Sequence, residues 1–98
     1  MQFVITAYDG AGMLSKRMEV RPLHLEGMKR LKKHLIAAGG LLDDKGKLKG
    51  SVLIMEFRSH EEVDEYLANE IYMKEHVWER ITIERMNVVY AQGEQVGK

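Results

Sequence analysis

The chain of 98 residues suits one domain and buries roughly two-thirds of the surface it would expose unfolded, which is enough for one modest core. Its 15 basic and 15 acidic side chains leave no net charge, so no global field draws it to a nucleic-acid backbone or an anionic membrane. Without cysteine, disulfides and thiol chemistry are excluded; no basic, apolar leader opens the chain, and a soluble cytoplasmic protein is expected.

The first element, "QFVITAY" (2–8), is short, β-branched and aromatic, and reads as a strand that "DGAG" ends. "DGAG" lacks the lysine of a phosphate-binding loop and reads as a turn. Pro22 suits the first turn of the next helix, because proline there loses only an amide that would lack a partner anyway. That helix is expected to stop at Gly39-Gly40, where glycine tolerates a left-handed cap, and Lys29 to Lys33 form its solvated face. A short strand, a turn at Lys45-Gly46 and a longer strand from about Ser51 to Arg58 follow. Ser59 and Glu62 have the spacing of a capping box, with Val63, Tyr66 and Leu67 on one face of a second, shorter helix. "VWERITIERMNVVY" (77–90) alternates as a long last strand; residues 1–90 form the domain, and 91–98 are expected to be a flexible tail.

The order βαββαβ predicts an α+β ferredoxin-like fold, with two helices covering one face of an antiparallel sheet. The other face would carry apolar residues such as Val4, Val52, Ile54 and Met86, so a homodimer packed sheet to sheet is expected. The seven methionines read as adaptable filling for core and interface.

A stripe at helical spacing runs Arg17, Arg21, His24, Met28, Leu31 and Leu35, nitrogen-bearing at its start and apolar at its end; with the helix starting near Pro22, His24 falls in its first turn and Arg17 and Arg21 become loop or cap residues. Asp9 shares parity with Phe3, Ile5 and Ala7, and ends an otherwise apolar row of the first strand. Because a crossover helix runs back along the strand that feeds it, Asp9 and His24 are expected to meet. A carboxylate beside an imidazole fixes the tautomer and frees the other nitrogen to move a substrate proton. Arg17 and Arg21 would supply positive charge for an anionic ligand, Ser51 a hydrogen bond, and Tyr72 a pocket wall. His34, His60 and His76 form no short metal pair, so neither metal nor cofactor is expected. The competing readings are a proton-transferring enzyme and a non-catalytic dimeric module that binds a small ligand or regulates a partner.

Asp9, Arg17, "RPLHL" (21–25), "AAGGLLDD", "KGSVLIMEF" and "VWERITIERM" together resemble the YCII-related (YciI-like) family over residues 1 to about 86. The resemblance implies a dimeric α/β barrel of two ferredoxin-like protomers and an active-site His and Asp that fall on His24 and Asp9. It also implies chemistry of the dehydrochlorinase, lyase or isomerase kind on a small, cyclic, anionic molecule, since a few relatives act on chlorinated hydroxyquinols. One departure stands out: the family's Asp-Pro followed by an aromatic is replaced by Asn69-Glu70, with Tyr72 left to supply the aromatic.

Overall fold

Burial alternates along β1 (Gln2–Asp9): Phe3, Ile5 and Ala7 are buried, and Val4 and Thr6 between them are only half-buried. The computed structural model describes residues 1–98 and places this strand inside a four-stranded sheet. The remaining elements are α1 (Leu14–Arg30), β2 (Leu35–Leu42), β3 (Leu48–Glu56), α2 (His60–Asn69), a single turn α3 (Ile71–Lys74) and β4 (Trp78–Met86). The order β2-β3-β1-β4, antiparallel at every pairing, is that of two interleaved βαβ units, so the expected ferredoxin-like architecture is borne out. Phe3, Ile5, Leu53, Met55, Val63, Tyr72 and Val77 form the fully buried centre between sheet and helices.

The first helix departs from its expected limits at both ends. It begins at Leu14, so Pro22 sits in its interior. Proline leaves the Met18 carbonyl without its helical donor, but both residues are exposed, and water can serve that carbonyl. The helix ends at Arg30, with Leu31 as its cap, and the expected glycine cap lies within β2. "LIAAGGLL" is strand because its backbone pairs along β3, from Leu35 opposite Met55 to Leu42 opposite Leu48, and pairing overrides alanine's helical preference. Gly40 leaves the room that the tip of the Leu48 side chain occupies on the neighbouring strand.

The hairpin between β2 and β3 turns where the sequence indicates. Asp43 Oδ1 accepts from the Lys45 and Lys47 amides at 2.8 and 2.9 Å, and Gly46 takes φ +79°. Ser59 caps α2 by accepting from the Glu62 amide at 3.3 Å, while the Glu62 carboxylate accepts from the Arg58 amide at 2.6 Å. Val63, Tyr66 and Leu67 are the buried face of that helix.

The last strand stops at Met86, shorter than expected. Val88 is nevertheless buried, its amide donating to Gln2 Oε1 at 2.7 Å. A small hairpin follows, β5 (Tyr90–Ala91) against β6 (Glu94–Gln95), where Tyr90 was expected to end the last strand and residues 91–98 to be a flexible tail. Gln92 and Gly93 close it with φ of 52° and 79°, the positive values that a tight two-residue turn requires. No helix is long and apolar enough to cross a membrane.

Candidate functional site

Between α1, the paired strands β2 and β3, and α3 lies a cleft of about 310 Å³, near the lower end of the range for small-molecule sites. α1 contributes Arg17, Arg21 and His24, β3 contributes Ser51, and α3 contributes Tyr72, so five of the expected site residues line one cavity. Leu25, Met28, Leu35 and Leu53 complete an apolar wall.

Asp9 and His24 do not pair with each other. Asp9 holds Arg17: Nη1 donates to Oδ1 at 2.8 Å and Oδ2 at 3.1 Å, and Nη2 donates to Ser51 Oγ at 2.7 Å. Both side chains of this ion pair are buried, at 3% and 7% exposure. The helix's early start explains the exchange. Arg17 sits in the first turn, above the end of β1, whereas His24 lies seven residues or about 10 Å further along the axis. At that level the available carboxylate is Glu70, between α2 and α3, whose Oε1 lies 2.9 Å from His24 Nδ1. Burial raises the Asp9 carboxyl above its usual range, outweighing the lowering effect of Arg17's charge and hydrogen bonds.

Glu70 is 5% exposed and fully engaged. Besides His24, it accepts from the Tyr66 hydroxyl at 2.6 Å and from the Tyr72 amide at 3.2 Å. Burial alone would raise its pKa, yet these hydrogen bonds and the His24 imidazole together hold it below the usual carboxylate range. An ionised Glu70 can only accept, so Nδ1 must carry a proton, and Nε2 makes no hydrogen bond within the chain. That nitrogen, on a ring lining the cleft, is free to take or give a proton.

Tyr72 ties the two networks together. Its ring stacks on His24 with centroids 4.2 Å apart, and the Arg17 guanidinium carbon lies 4.7 Å from its centroid. Trp78 packs edge-on against Tyr72 at 5.5 Å and His24 at 6.3 Å. Burial raises the Tyr72 hydroxyl pKa against the opposing charges of Arg17 and Arg21, so the group stays a donor. Tyr72 Oη, Arg17 Nε and Trp78 Nε1 are buried without a partner in the chain. Arg21 is exposed at the rim.

Glu70 and Tyr66 were not among the expected site residues. The available signals were the departure from the family's Asp-Pro at Asn69-Glu70, which leaves an acid two residues before Tyr72, and the i, i+4 spacing of Tyr66 and Glu70. A larger groove of about 550 Å³ lies between α1 and α2 and shares Met28 with the cleft and Tyr66 and Glu70 with the network, but the Tyr66 hydroxyl and Glu70 are turned inward to His24. No group of three or more His, Asp and Glu is disposed to hold a metal ion.

Known proteins share this fold. The YCII-related domain matches residues 1–87. Protein YciI of Escherichia coli O6:H1 is 32% identical over 98 residues, covering 92% of this chain and all of that one, and Protein YciI of Shigella flexneri is equally similar. Among solved structures, 5-chloro-2-hydroxyhydroquinone dehydrochlorinase (TftG) from Burkholderia phenoliruptrix, in complex with 2,5-dihydroxybenzoquinone, superposes with a TM-score of 0.83. It is 29% identical, over 89% of this chain and 94% of that one. An antibiotic biosynthesis monooxygenase shares the fold at a TM-score of 0.53 and 16% identity, covering 91% and 98% of the two chains. With the domain matched over nearly its whole length and a full-length relative about one-third identical, the chain belongs to the YCII-related family.

Proposed function

We propose that this protein is a small cofactor-independent enzyme of the lyase or isomerase kind, in which His24 moves a proton on a small, cyclic, anionic molecule. The observation that carries the proposal is the imidazole itself: Nδ1 is held by a buried, ionised Glu70, and Nε2 has no partner on a ring that lines the cleft. Nε2 takes a proton from a ring hydroxyl or an acidic C–H. The electron pair released moves into the ring and the proton returns at a ring carbon; where that carbon bears a halogen, loss of a second hydroxyl proton then expels halide with its bonding pair and leaves a quinone. Arg21 and Arg17 attract and hold negative charge, Ser51 and Asp9 fix the direction of Arg17, and the Tyr72 hydroxyl is a donor for a substrate oxygen. Asp9 thus serves through Arg17 and not through His24. A hydroxylated six-membered ring suits the cavity volume and apolar wall, and the dehydrochlorinase that shares this fold was captured with one.

The test uses 2,5-dihydroxybenzoquinone as a binding probe and 5-chloro-2-hydroxyhydroquinone as a substrate. His24→Gln keeps hydrogen-bonding capacity but not proton transfer, so it is expected to bind the probe and lose chloride release. Turnover that survives His24→Gln refutes the proton-transfer role. Probe binding with no turnover by the unmodified protein favours the ligand-binding module instead.

The homodimer belongs to the same proposal. The sheet face turned away from the helices carries Val4, Val52 and Ile54, with Met86 at 36% and Tyr8 at 37% exposure, and a second copy packed there would remove this surface from water. Light scattering should give twice the chain mass, and Ile54→Lys should halve it; a monomer in the unmodified protein contradicts this.

A further inference from the structure

We infer that Tyr66 is a positioning residue for His24, setting through a shared carboxylate oxygen how strongly Glu70 holds the imidazole. The inference rests on the reading of His24 as the proton-transfer group. Tyr66 lies on the last turn of α2, and Glu70 follows as the residue that ends α2 and caps α3. The Tyr66 hydroxyl and His24 Nδ1 both donate to the same atom, Glu70 Oε1, at 2.6 and 2.9 Å. The other oxygen, Oε2, is taken by the Tyr72 amide at 3.2 Å. A hydroxyl at 2.6 Å from an ionised oxygen falls in the range of strong, charge-assisted bonds. Two donors on one oxygen compete for its charge, and in a buried site that competition is not relieved by water.

A tyrosine needed only for packing would be served by its ring, which stacks on Phe57 with centroids 6.2 Å apart. Its hydroxyl does more. Burial and the adjacent Glu70 charge drive the Tyr66 pKa far above that of free tyrosine, so the proton stays on Oη and the bond to Glu70 persists at any working pH. Loss of the hydroxyl therefore leaves Oε1 to His24 alone. The Nδ1–H···O bond then strengthens, and proton return from Nε2 is slowed.

The test is the His24 Nδ1–H resonance in protein labelled with ¹⁵N-histidine, with no ligand required. Tyr66→Phe keeps the ring and is expected to shift that resonance downfield; Glu70→Gln, which removes the charge, is expected to shift it upfield. A resonance unmoved in Tyr66→Phe but displaced in Glu70→Gln overturns the role of Tyr66 and leaves the His24–Glu70 pair standing. One unmoved in both removes the pair as well. Should Tyr66→Phe not fold, the unmodified protein in mixed H₂O and D₂O answers the same question. Deuterium on Tyr66 Oη should split the Nδ1–H line, and a single unsplit line overturns the inference.

Discussion

Truncation of Glu70 to alanine strands three donors at once: His24 Nδ1–H, the Tyr66 hydroxyl and the Tyr72 amide all lose their acceptor. A buried donor left unsatisfied costs about 1–3 kcal/mol, and removal of one member of a buried ionic network typically costs about 3–5 kcal/mol. The contributions are not additive, because water entering from the cleft can serve part of the gap, so we expect about 4 kcal/mol for Glu70→Ala. Against a typical domain stability of about 5–15 kcal/mol this is a large fraction. With a urea dependence of about 1–1.5 kcal/mol/M for a chain of this size, the unfolding midpoint should fall by about 3 M. Glu70→Gln keeps one acceptor in place but turns an amide NH₂ toward either the ring or the Tyr72 amide, and should cost about 1–2 kcal/mol. Equilibrium urea unfolding followed by tryptophan fluorescence reads both, since Trp78 packs against the same ring. A Glu70→Ala protein within about 0.5 kcal/mol of the unmodified one would show that the network contributes nothing to stability.

Asp9→Ala leaves the buried Arg17 guanidinium without its counter-charge and should cost about 3–5 kcal/mol in the same assay, whereas Asp9→Leu with Arg17→Met should recover most of that loss. The two carboxylates act oppositely on acid stability. Glu70, lowered in the folded state, contributes stability that is present above its unfolded value of 4.5 and is lost as pH falls through its folded value. Asp9, raised in the folded state, takes up its proton before the unfolded chain does, so stability rises as pH falls from its folded value toward 3.8. Urea midpoints measured against pH should therefore fall more steeply on acidification in Asp9→Asn, and less steeply in Glu70→Gln, than in the unmodified protein. Gly50→Ala should destabilise by about 2 kcal/mol, because its new Cβ would meet the backbone carbonyl of Ala7 across the sheet, and only a strand shift relieves that; thermal unfolding checks it.

Patterns of local origin were readable from the residues. Period-two burial in β1, the Ser59 cap with its Val63, Tyr66 and Leu67 face, and the Gly46 turn each follow from a few neighbouring side chains, and together they give the βαββαβ order. The limits of α1 were not, because they depend on partners distant in sequence. Pro22 reads as a helix start unless solvent serves the carbonyl it orphans, and "LIAAGG" reads as helix and cap unless β3 claims it. The site followed the same division. Arg17, Arg21, His24, Ser51 and Tyr72 were expected at the site from residue chemistry and family resemblance, and all five line one cleft. The wrong helix start, however, moved His24 into the place of Arg17 and so assigned it the wrong carboxylate. Glu70 was read only as a departure from the family's Asp-Pro, because it stands at a junction of two helices, where strand parity gives no sign that a residue points inward.

We propose that His24 presents an unprotonated Nε2 to the cleft because Glu70 holds the proton on Nδ1. Long-range ¹H–¹⁵N correlation of the histidine rings measures this tautomer directly. The neutral His24 ring is expected to carry its proton on Nδ1, and Glu70→Gln to loosen this preference. A neutral ring protonated on Nε2 in the unmodified protein would contradict the account, since the nitrogen facing the substrate could then accept nothing.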